Sequence, residues 1–109
     1  MKISVVVPAY NEEQYLPTCL QSLKEQDYKG DWEIIVVDNA STDATAQIAR
    51  NFGVKVIFCP QKGVVFARQA GVDAAQGDII VQADADAQFP SDWLSRLVQR
   101  LTEQRGVVA

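Results

Sequence analysis

Four short runs of apolar residues, each followed by a stretch with helical spacing, constrain the fold of this chain most strongly. The runs cover residues 3–7, 33–37, 54–59 and 78–83, and they are nearly continuous in apolar residues rather than alternating. Such runs are typical of strands covered on both faces, as in a parallel sheet. Because helices separate the strands, the order predicts right-handed crossovers. We therefore expect an α/β fold with an open, mainly parallel sheet and flanking helices.

The first two helical stretches carry recognisable start and stop signals. The first should begin near residue 14, because Pro17 cannot donate a helical hydrogen bond. The second begins at the capping residues 41–43 and stops at Gly53. The apolar stripe predicted for the first helix consists of Tyr15, Leu16, Cys19, Leu20 and Leu23.

The third helical stretch runs from about residue 63 to residue 75 and has a glycine in its interior. Glycine costs about 1 kcal/mol against alanine at such a position unless a close backbone approach is needed, so Gly71 predicts a close contact. A fourth helix follows Ser91, its N-cap candidate. The apolar residues of the third helical stretch are Val65, Phe66, Val72 and Ala75.

Composition restricts the function more than it identifies it. With 109 residues, 48% hydrophobic and 22% charged, the chain is one globular domain at most. A net charge of −4 without any Lys/Arg-rich run argues against a nucleic-acid partner or an anionic membrane surface. No histidine is present, which excludes Ser–His or Cys–His catalysis and His-ligated zinc. Any chemistry must therefore use carboxylates.

The two cysteines and the N-terminus bear on the cellular compartment. Cys19 and Cys59 both lie in apolar stretches and fit buried free thiols better than a disulfide. No run approaches the ~20 apolar residues that span a bilayer, and the run after Lys2 is too short for a signal peptide. The sequence is thus cytosolic in character.

The last residues suggest that the domain continues. Residues 107–109, Val-Val-Ala, follow Gly106 and resemble the beginning of a new strand. We expect the chain to be the front half of a larger domain. The alternative is a complete small α/β domain with a frayed tail.

Polar residues follow three of the predicted strands, where ligands bind in open parallel sheets. Asp84 and Asp86 come after the fourth strand, and carboxylates at this spacing can hold one hard cation while leaving sites for phosphate oxygens. Asp38 ends the second strand and is either a hydrogen-bond acceptor for a nucleobase or ribose or an Asx-turn residue. Tyr10 either stacks on a base or covers the first helix. Arg68 either meets phosphate or lies on a solvated helix face.

Taken together, these segments resemble the successive motifs of family 2 inverting glycosyltransferases with the GT-A fold. The similarity covers essentially the whole chain, but only the nucleotide-sugar-binding, Rossmann-like half of that catalytic domain. Gln69 departs from the asparagine expected after the arginine. The matching segments are Val-Val-Val-Pro-Ala-Tyr-Asn-Glu-Glu at 5–13, Glu-Ile-Ile-Val-Val-Asp-Asn-Ala-Ser-Thr-Asp at 33–43, Ala-Arg-Gln-Ala-Gly at 67–71 with Gly-Asp at 77–78, and Asp-Ala-Asp at 84–86.

The resemblance implies a role for each matching residue. Asp38 would bond the base edge, Arg68 would lie near the nucleotide, and Asp84 would approach the ribose. Asp86 would ligate Mn²⁺ or Mg²⁺ on the diphosphate, and the ion would neutralise the leaving group while an acceptor hydroxyl attacks. The residues expected around base and ribose are Pro8, Ala9, Tyr10 and Glu12.

The same resemblance assigns the general base and acceptor site to a later half of the family's domain. The 109-residue chain would then bind the donor without transferring the sugar, and full-length members can be membrane-associated. A different class of function also fits the sequence: a non-catalytic nucleotide-binding or interaction module, derived from a truncated paralogue, whose exposed sheet edge pairs with another copy. A phospho-acceptor receiver domain fits less well, because the lysine expected after a later strand is not evident.

Overall fold

The computed structural model describes residues 1–105, with side chains described through Glu103, and contains one four-stranded parallel sheet. The strand order is β3-β2-β1-β4, so the expected α/β fold with a parallel sheet is confirmed. Residues 107–109, interpreted as the beginning of another strand, lie outside the described residues. The elements are β1 (Lys2–Ala9), α1 (Leu16–Lys24), β2 (Asp31–Asp38), α2 (Thr45–Asn51), β3 (Lys55–Phe58), α3 (Val64–Ala74), β4 (Ile79–Gln82) and α4 (Trp93–Arg105).

The strand order reverses next to β1. Strands β2 and β3 add on one side of β1, whereas β4 pairs with its other side. Ala9 is in register with Asp38, and Val6 is in register with Gln82. The carboxyl ends of β1, β2 and β4 therefore meet at one edge of the sheet, which we call the carboxyl edge. The loops after β1 and β4 flank the switch in strand order.

The two faces of the sheet are covered differently. Helices α1, α2 and α4 bury Leu20, Ala49 and Leu94 against one face, in a single apolar cluster with the β1 side chains that point there. On the other face α3 packs alone, with Ala67 in a smaller cluster beside Val6. The face under α3 is consequently the less covered one.

Gly71 confirms the close approach predicted for α3. A Cβ atom on Gly71 would lie 2.3 Å from Cγ1 of Val6, so only glycine lets the helix come this near to the sheet. The larger apolar residues of α3, Val65, Phe66 and Val72, are exposed, while Ala75 at its end is partly buried. Close packing requires small residues at the buried positions, so the larger apolar side chains project outward.

The prediction that all strands are covered on both faces was also wrong for the two edge strands. Phe58 on β3 is 63% exposed and Ile80 on β4 is 41% exposed. Both strands have a neighbour on one side only within residues 1–105, and a single helix covers the face under α3. The near-continuous apolar runs therefore predicted the strands of a parallel sheet, but they did not distinguish central strands from edge strands.

The first two helices begin later than predicted. Helix α1 begins at Leu16 rather than near residue 14, and Tyr15 is half exposed instead of part of its stripe. Helix α2 begins at Thr45 rather than at 41–43, because those residues bond to the loop after β1. The observed positions depend on tertiary hydrogen bonds, which local capping signals do not include.

At the start of α4 the predicted N-cap was also wrong. The amide of Leu94 donates to Oε1 of Gln26 at 2.8 Å, so a glutamine from the end of α1 takes the capping role expected of Ser91. Nε2 of the same glutamine donates to the carbonyl of Pro90 at 2.6 Å. The backbone carbonyl of Ser91 accepts from the amide of Asp27 at 2.8 Å. Helix α4 is therefore held at its first turn by the end of α1.

Two further expectations concern the cysteines and the membrane. Cys19 and Cys59 are both buried free thiols, as predicted. None of the helices in residues 1–105 combines the length and apolarity needed to cross a bilayer.

Candidate functional site

The loops after β1 and β2 are joined into one structure at the carboxyl edge. Backbone amides of each loop donate to side-chain oxygens of the other, with Asn11, Glu12 and Glu13 facing residues 41–45. Asn11 and Ala40 have φ angles of 51° and 59°, a left-handed conformation that costs a non-glycine residue about 1 kcal/mol. The bonds are Asn11 N to Ser41 Oγ (3.0 Å), Thr42 N to Asn11 Oδ1 (2.8 Å), Glu12 N to Thr45 Oγ1 (2.9 Å) and Ala44 N to Glu13 Oε2 (3.1 Å).

A cleft of about 360 Å³ opens beside these loops on the α3 side of the sheet. Tyr10 lies at its mouth, 45% exposed, and Nζ of Lys62 lies 5.3 Å from the centroid of its ring. The Tyr10 side chain is thus partly exposed, with the Lys62 ammonium over its ring. The cleft is lined by Pro8, Ala9, Tyr10, Asn39, Lys62, Gly63, Val64 and Ala67.

Asp38 and Asn39 end β2 in buried positions, with 6% and 5% of their surface exposed. Oδ1 of Asp38 accepts from the amide of Ser41, three residues further on, at 3.0 Å, so this oxygen takes part in the turn after β2. The amide side chain of Asn39 contacts the loop between β3 and α3. Both residues therefore organise the loops around the cleft.

On the other side of β1, acidic side chains gather near the loop after β4. Partial burial and then the neighbouring charges of Asp86 and Asp43 raise the pKa of Glu12 above its ordinary value. Burial, followed by the charges of Asp86, Asp84 and Glu12, raises the pKa of the Cys19 thiol to about 12. This thiol donates to the backbone carbonyl of Asp84 at 3.4 Å. We call Glu12, Asp84 and Asp86 the acidic group.

The negative charge of the acidic group is not neutralised by the described part of the chain. The salt bridge found in residues 1–103 joins Arg96 and Asp92 on α4, at 3.7 Å. No set of three His, Cys, Asp or Glu side chains in this range is arranged to hold a metal ion by itself. Within the described residues, the acidic group is therefore a local concentration of negative charge.

The predicted site residues thus fall into separate locations. Pro8, Ala9 and Tyr10 line the cleft, and the acidic group lies across β1 from Asp38. Asp38 ends β2, whereas Asp86 lies in the loop after β4. Strands β2 and β4 are two strand spacings apart, about 10 Å. Arg68 lies on α3, exposed and outside the cleft lining, which is the solvated-face alternative.

Sequence reasoning missed half of the cleft. Asn39 was noted only as a neighbour of Asp38, and the wall formed by Lys62, Gly63, Val64 and Ala67 was not predicted at all. Gly63, with a φ of 132°, immediately precedes α3. A Lys-Gly pair before a helix could have directed attention to this loop, since a strand end lies just upstream.

Comparison with known proteins agrees with this geometry. The model of the family "Glycosyl transferase family 2" matches residues 4–109. Among curated relatives, glycosyltransferase GlyA of Streptococcus pneumoniae is 34% identical over 113 residues, which cover 99% of this chain and 16% of GlyA.

Two solved structures show the same fold. S. aureus TarS 1-349 in complex with UDP superposes with a TM-score of 0.83 at 34% identity, covering 94% of this chain and 32% of that one. Glucosyl-3-phosphoglycerate synthase of Mycobacterium tuberculosis, in complex with Mn²⁺, UDP-glucose and phosphoglyceric acid, gives a TM-score of 0.82 at 31% identity. The superposition covers 97% of this chain and 41% of the synthase. The chain therefore spans less than half of each of these proteins.

Proposed function

The chain belongs to glycosyltransferase family 2, and from this premise we propose that it is the donor-binding part of an enzyme that uses a nucleoside-diphosphate sugar with a divalent metal ion. The reaction would be inverting transfer of the sugar to an acceptor hydroxyl. Residues 1–109 would form one nucleotide-sugar-binding unit, and the general base and acceptor site would come from another part of the full protein.

The arrangement of the carboxyl edge is the observation that carries this proposal. An open aromatic cleft and an uncompensated acidic group flank the end of β1, where the strand order reverses. Ligands of open α/β sheets bind at such a switch. A nucleotide sugar would use both environments, because its base has a flat face that stacks on aromatic rings while its diphosphate would reach the protein through a cation.

The cleft suits the base and ribose. Tyr10 offers an exposed ring for stacking, which is favourable for any base. Asp38 has one oxygen in its turn, and the other forms no hydrogen bond to the described residues and would accept from the base edge. Arg68 would reach the nucleotide only by extending from the exposed side of α3. The residues that we assign to the donor are Pro8, Ala9, Tyr10, Glu12, Asp38, Arg68, Asp84 and Asp86.

The acidic group suits a hard divalent ion. Asp86 is the ligand we assign to Mn²⁺ or Mg²⁺, with Asp84 directed toward the ribose and Glu12 adding negative charge nearby. The described residues hold no complete set of three metal-ligating side chains, so diphosphate oxygens and water would fill the other coordination positions of the ion. When bound, such an ion neutralises charge on the leaving nucleoside diphosphate.

Calorimetric titration tests the proposal. UDP and GDP are each titrated into the protein with and without Mn²⁺, and we expect one of them to bind at least about tenfold more tightly with the ion. Asp86→Asn should remove this metal dependence with little loss of stability, because Asp86 is exposed and supports no core. Asp31→Asn, an exposed carboxylate at the start of β2, is the matched control and should bind like wild type.

Two results would contradict the proposal. One is the absence of binding by both nucleotides in a sample shown by circular dichroism to be folded. The other is unfolding of Asp86→Asn, which would make this carboxylate structural.

The open edge of β4 favours a second candidate, an interaction module that pairs with another copy of itself. Within residues 1–105 β4 has β1 as its neighbour on one side only, and a cleft of about 660 Å³ lies beside it, lined in part by Ile80 and Leu97. Unpaired strand edges are templates for pairing with other chains. Sedimentation distinguishes the candidates: a tight dimer that ignores nucleotides supports this one, whereas a metal-dependent nucleotide binder supports the first.

A further inference from the structure

Asn39 contacts three backbone groups of a single loop. Its Nδ2 donates to the carbonyl of Gln61 at 2.7 Å and, more weakly, to the carbonyl of Cys59 at 3.4 Å. Its Oδ1 accepts from the amide of Gly63 at 2.9 Å. The side chain thereby bonds the loop on both sides of Lys62. Only 5% of Asn39 is exposed, so these bonds face little competition from water.

The chemistry of the site requires an amide side chain. Two carbonyls need a donor and one N–H needs an acceptor, and asparagine supplies both within one short group. A carboxylate at this position would accept from Gly63 but would present an oxygen to the two carbonyls. An alanine would leave the amide of Gly63 and both carbonyls without this partner. The backbone of Asn39 is fixed too, since its amide donates to the carbonyl of Ala9 at 2.9 Å.

The loop that Asn39 holds forms one wall of the cleft. Lys62 and Gly63 both line it, and Nζ of Lys62 lies over the ring of Tyr10 on the opposite wall. Gly63 adopts a φ of 132°, which few residues other than glycine tolerate, so its conformation depends on bonds made by neighbours. The width of the cleft is thus set by the position of this loop relative to β2.

We propose that Asn39 is a positioning residue for the donor nucleotide: it holds residues 59–63 so that Lys62 and Gly63 face Tyr10 at the width that a bound nucleotide requires. This inference rests on the proposed function for the identity of the ligand. It assigns Asn39 no contact with the donor, because the polar atoms of its side chain are already bonded to the loop.

The experiment compares wild type, Asn39→Ala, Asn39→Asp and a control, Asn51→Asp. Asn51 is an exposed residue of α2 whose Oδ1 accepts from Gln47, so the control adds the same charge away from the loop. Affinity for UDP and GDP with Mn²⁺ is measured by calorimetry at pH 5.5 and 7.5. Hydrogen exchange of the Gly63 amide is followed by NMR without ligand.

We expect Asn39→Ala to weaken nucleotide binding about tenfold and to speed exchange of the Gly63 amide. Asn39→Asp should weaken binding at least as much at pH 7.5 and recover part of the loss, relative to wild type, at pH 5.5. The recovery follows because burial raises the pKa of a carboxyl at this position. Part of it is then protonated at pH 5.5 and can again donate to the carbonyl of Gln61. The control should match wild type at both pH values.

Three results would overturn the proposal. Wild-type affinity in both Asn39 variants would show that the loop needs no such support. Weaker binding by Asn39→Ala with unchanged exchange at Gly63 would mean that Asn39 contacts the ligand directly. An equal loss at both pH values in Asn39→Asp would remove the hydrogen-bond explanation.

Failure of the proposed function is distinguishable from failure of this inference. If wild type binds neither nucleotide, the proposed function fails, and exchange of the Gly63 amide still decides whether Asn39 holds the loop. If Asn39→Ala does not fold, the comparison of Asn39→Asp at the two pH values carries the test.

Discussion

The pKa of a glutamate is shifted in opposite directions at the two ends of the sheet: it is lowered for Glu33 and raised for Glu12. At the amino end, Glu33 accepts hydrogen bonds from the hydroxyl of Ser4 and from the amide of Gln76. Burial tends to raise the pKa of Glu33, but these bonds and the charges of Lys2 and Lys55 outweigh it, and the pKa is lowered overall. The ionised form of this carboxylate is therefore stabilised by the fold.

At the carboxyl edge the balance is reversed. Burial of Glu12 and the charges of Asp86 and Asp43 all act in the same direction, and the pKa is raised. At the amino end of the sheet, hydrogen bonds and lysines stabilise the negative charge of Glu33. At the carboxyl edge, where we propose that the donor and its cation bind, the charge of Glu12 has no such compensation. Perturbed groups of this second kind are the ones that mark binding sites.

Gly77→Ala should disturb the amino end most. A Cβ atom there would lie 2.6 Å from Oγ and 2.7 Å from the backbone nitrogen of Ser4, so the backbone must shift. We expect the free energy of unfolding to fall by about 3 kcal/mol in urea denaturation. The nucleotide affinity of the folded fraction should be unchanged. A changed affinity would show that the amino end of the sheet influences binding at the carboxyl edge.

The matched control is Gly53→Ala. Gly53 has a φ of 75° but no atom within 4 Å of its would-be Cβ, so only backbone strain should appear, about 1 kcal/mol. Equal losses in the two variants would show that contact with Ser4 is not the cause.

Ser4→Ala should have the next largest effect. The hydroxyl is fully buried, donates to Glu33 and accepts from the amide of Gly77 at 2.8 Å. Removing it leaves both partners short of a hydrogen bond, and we expect a loss of about 2 kcal/mol in urea denaturation at pH 7. Ser95→Ala removes a more exposed hydroxyl bonded to Asp27 and should cost less than about 1 kcal/mol. If Ser4→Ala lowers the free energy of unfolding no more than Ser95→Ala does, the hydrogen bonds of Ser4 do not stabilise the fold as we expect.

Glu12→Gln should have the smallest effect, and the size of that effect should depend on pH. A carboxyl whose folded pKa is raised supports the fold fully below the unfolded value of about 4.5 and loses that contribution as pH rises through the folded pKa. Glu12→Gln should therefore gain a few tenths of a kcal/mol at pH 7, after allowance for screening, and nothing at pH 3.5. Denaturation at the two pH values measures the difference.

Glu33→Gln is the counterpart at the amino end and should show the opposite sign. Because the pKa of Glu33 is lowered in the folded state, its ionised carboxylate stabilises the fold above about pH 4.5. This stabilisation is lost as the pH falls through the folded pKa. The substitution should therefore destabilise the protein at pH 7 and much less at low pH. The same pH response in both variants would contradict the distinction between the two ends.

The sequence predicted those features that depend on local pattern. Apolar runs and helical spacing located all four strands and all four helices, and Gly71 announced a close packing contact that a Cβ on this residue would block. The motif order also indicated the family. Local pattern suffices here because alternating strands and helices favour parallel strands joined by right-handed crossovers.

What the sequence left unpredicted depends on residues far apart in the chain. Asn39 bonds to a loop more than 20 positions away, and Ser4 bonds to Gly77 across 73 positions. The capping of Leu94 by Gln26 spans 68 positions. No periodicity or spacing carries such contacts, because they arise only when the sheet has brought the strands together.

The joined loops after β1 and β2 have a consequence for how fast and how favourably a ligand binds. Their amides are already committed to side-chain acceptors such as Ser41 and Thr45, so association should require little loss of conformational entropy in this part of the protein. Preorganisation of that kind leaves more of the interaction energy available as affinity. On the Asn11 side of the cleft, the loops should accordingly bind a ligand without a large change in their conformation.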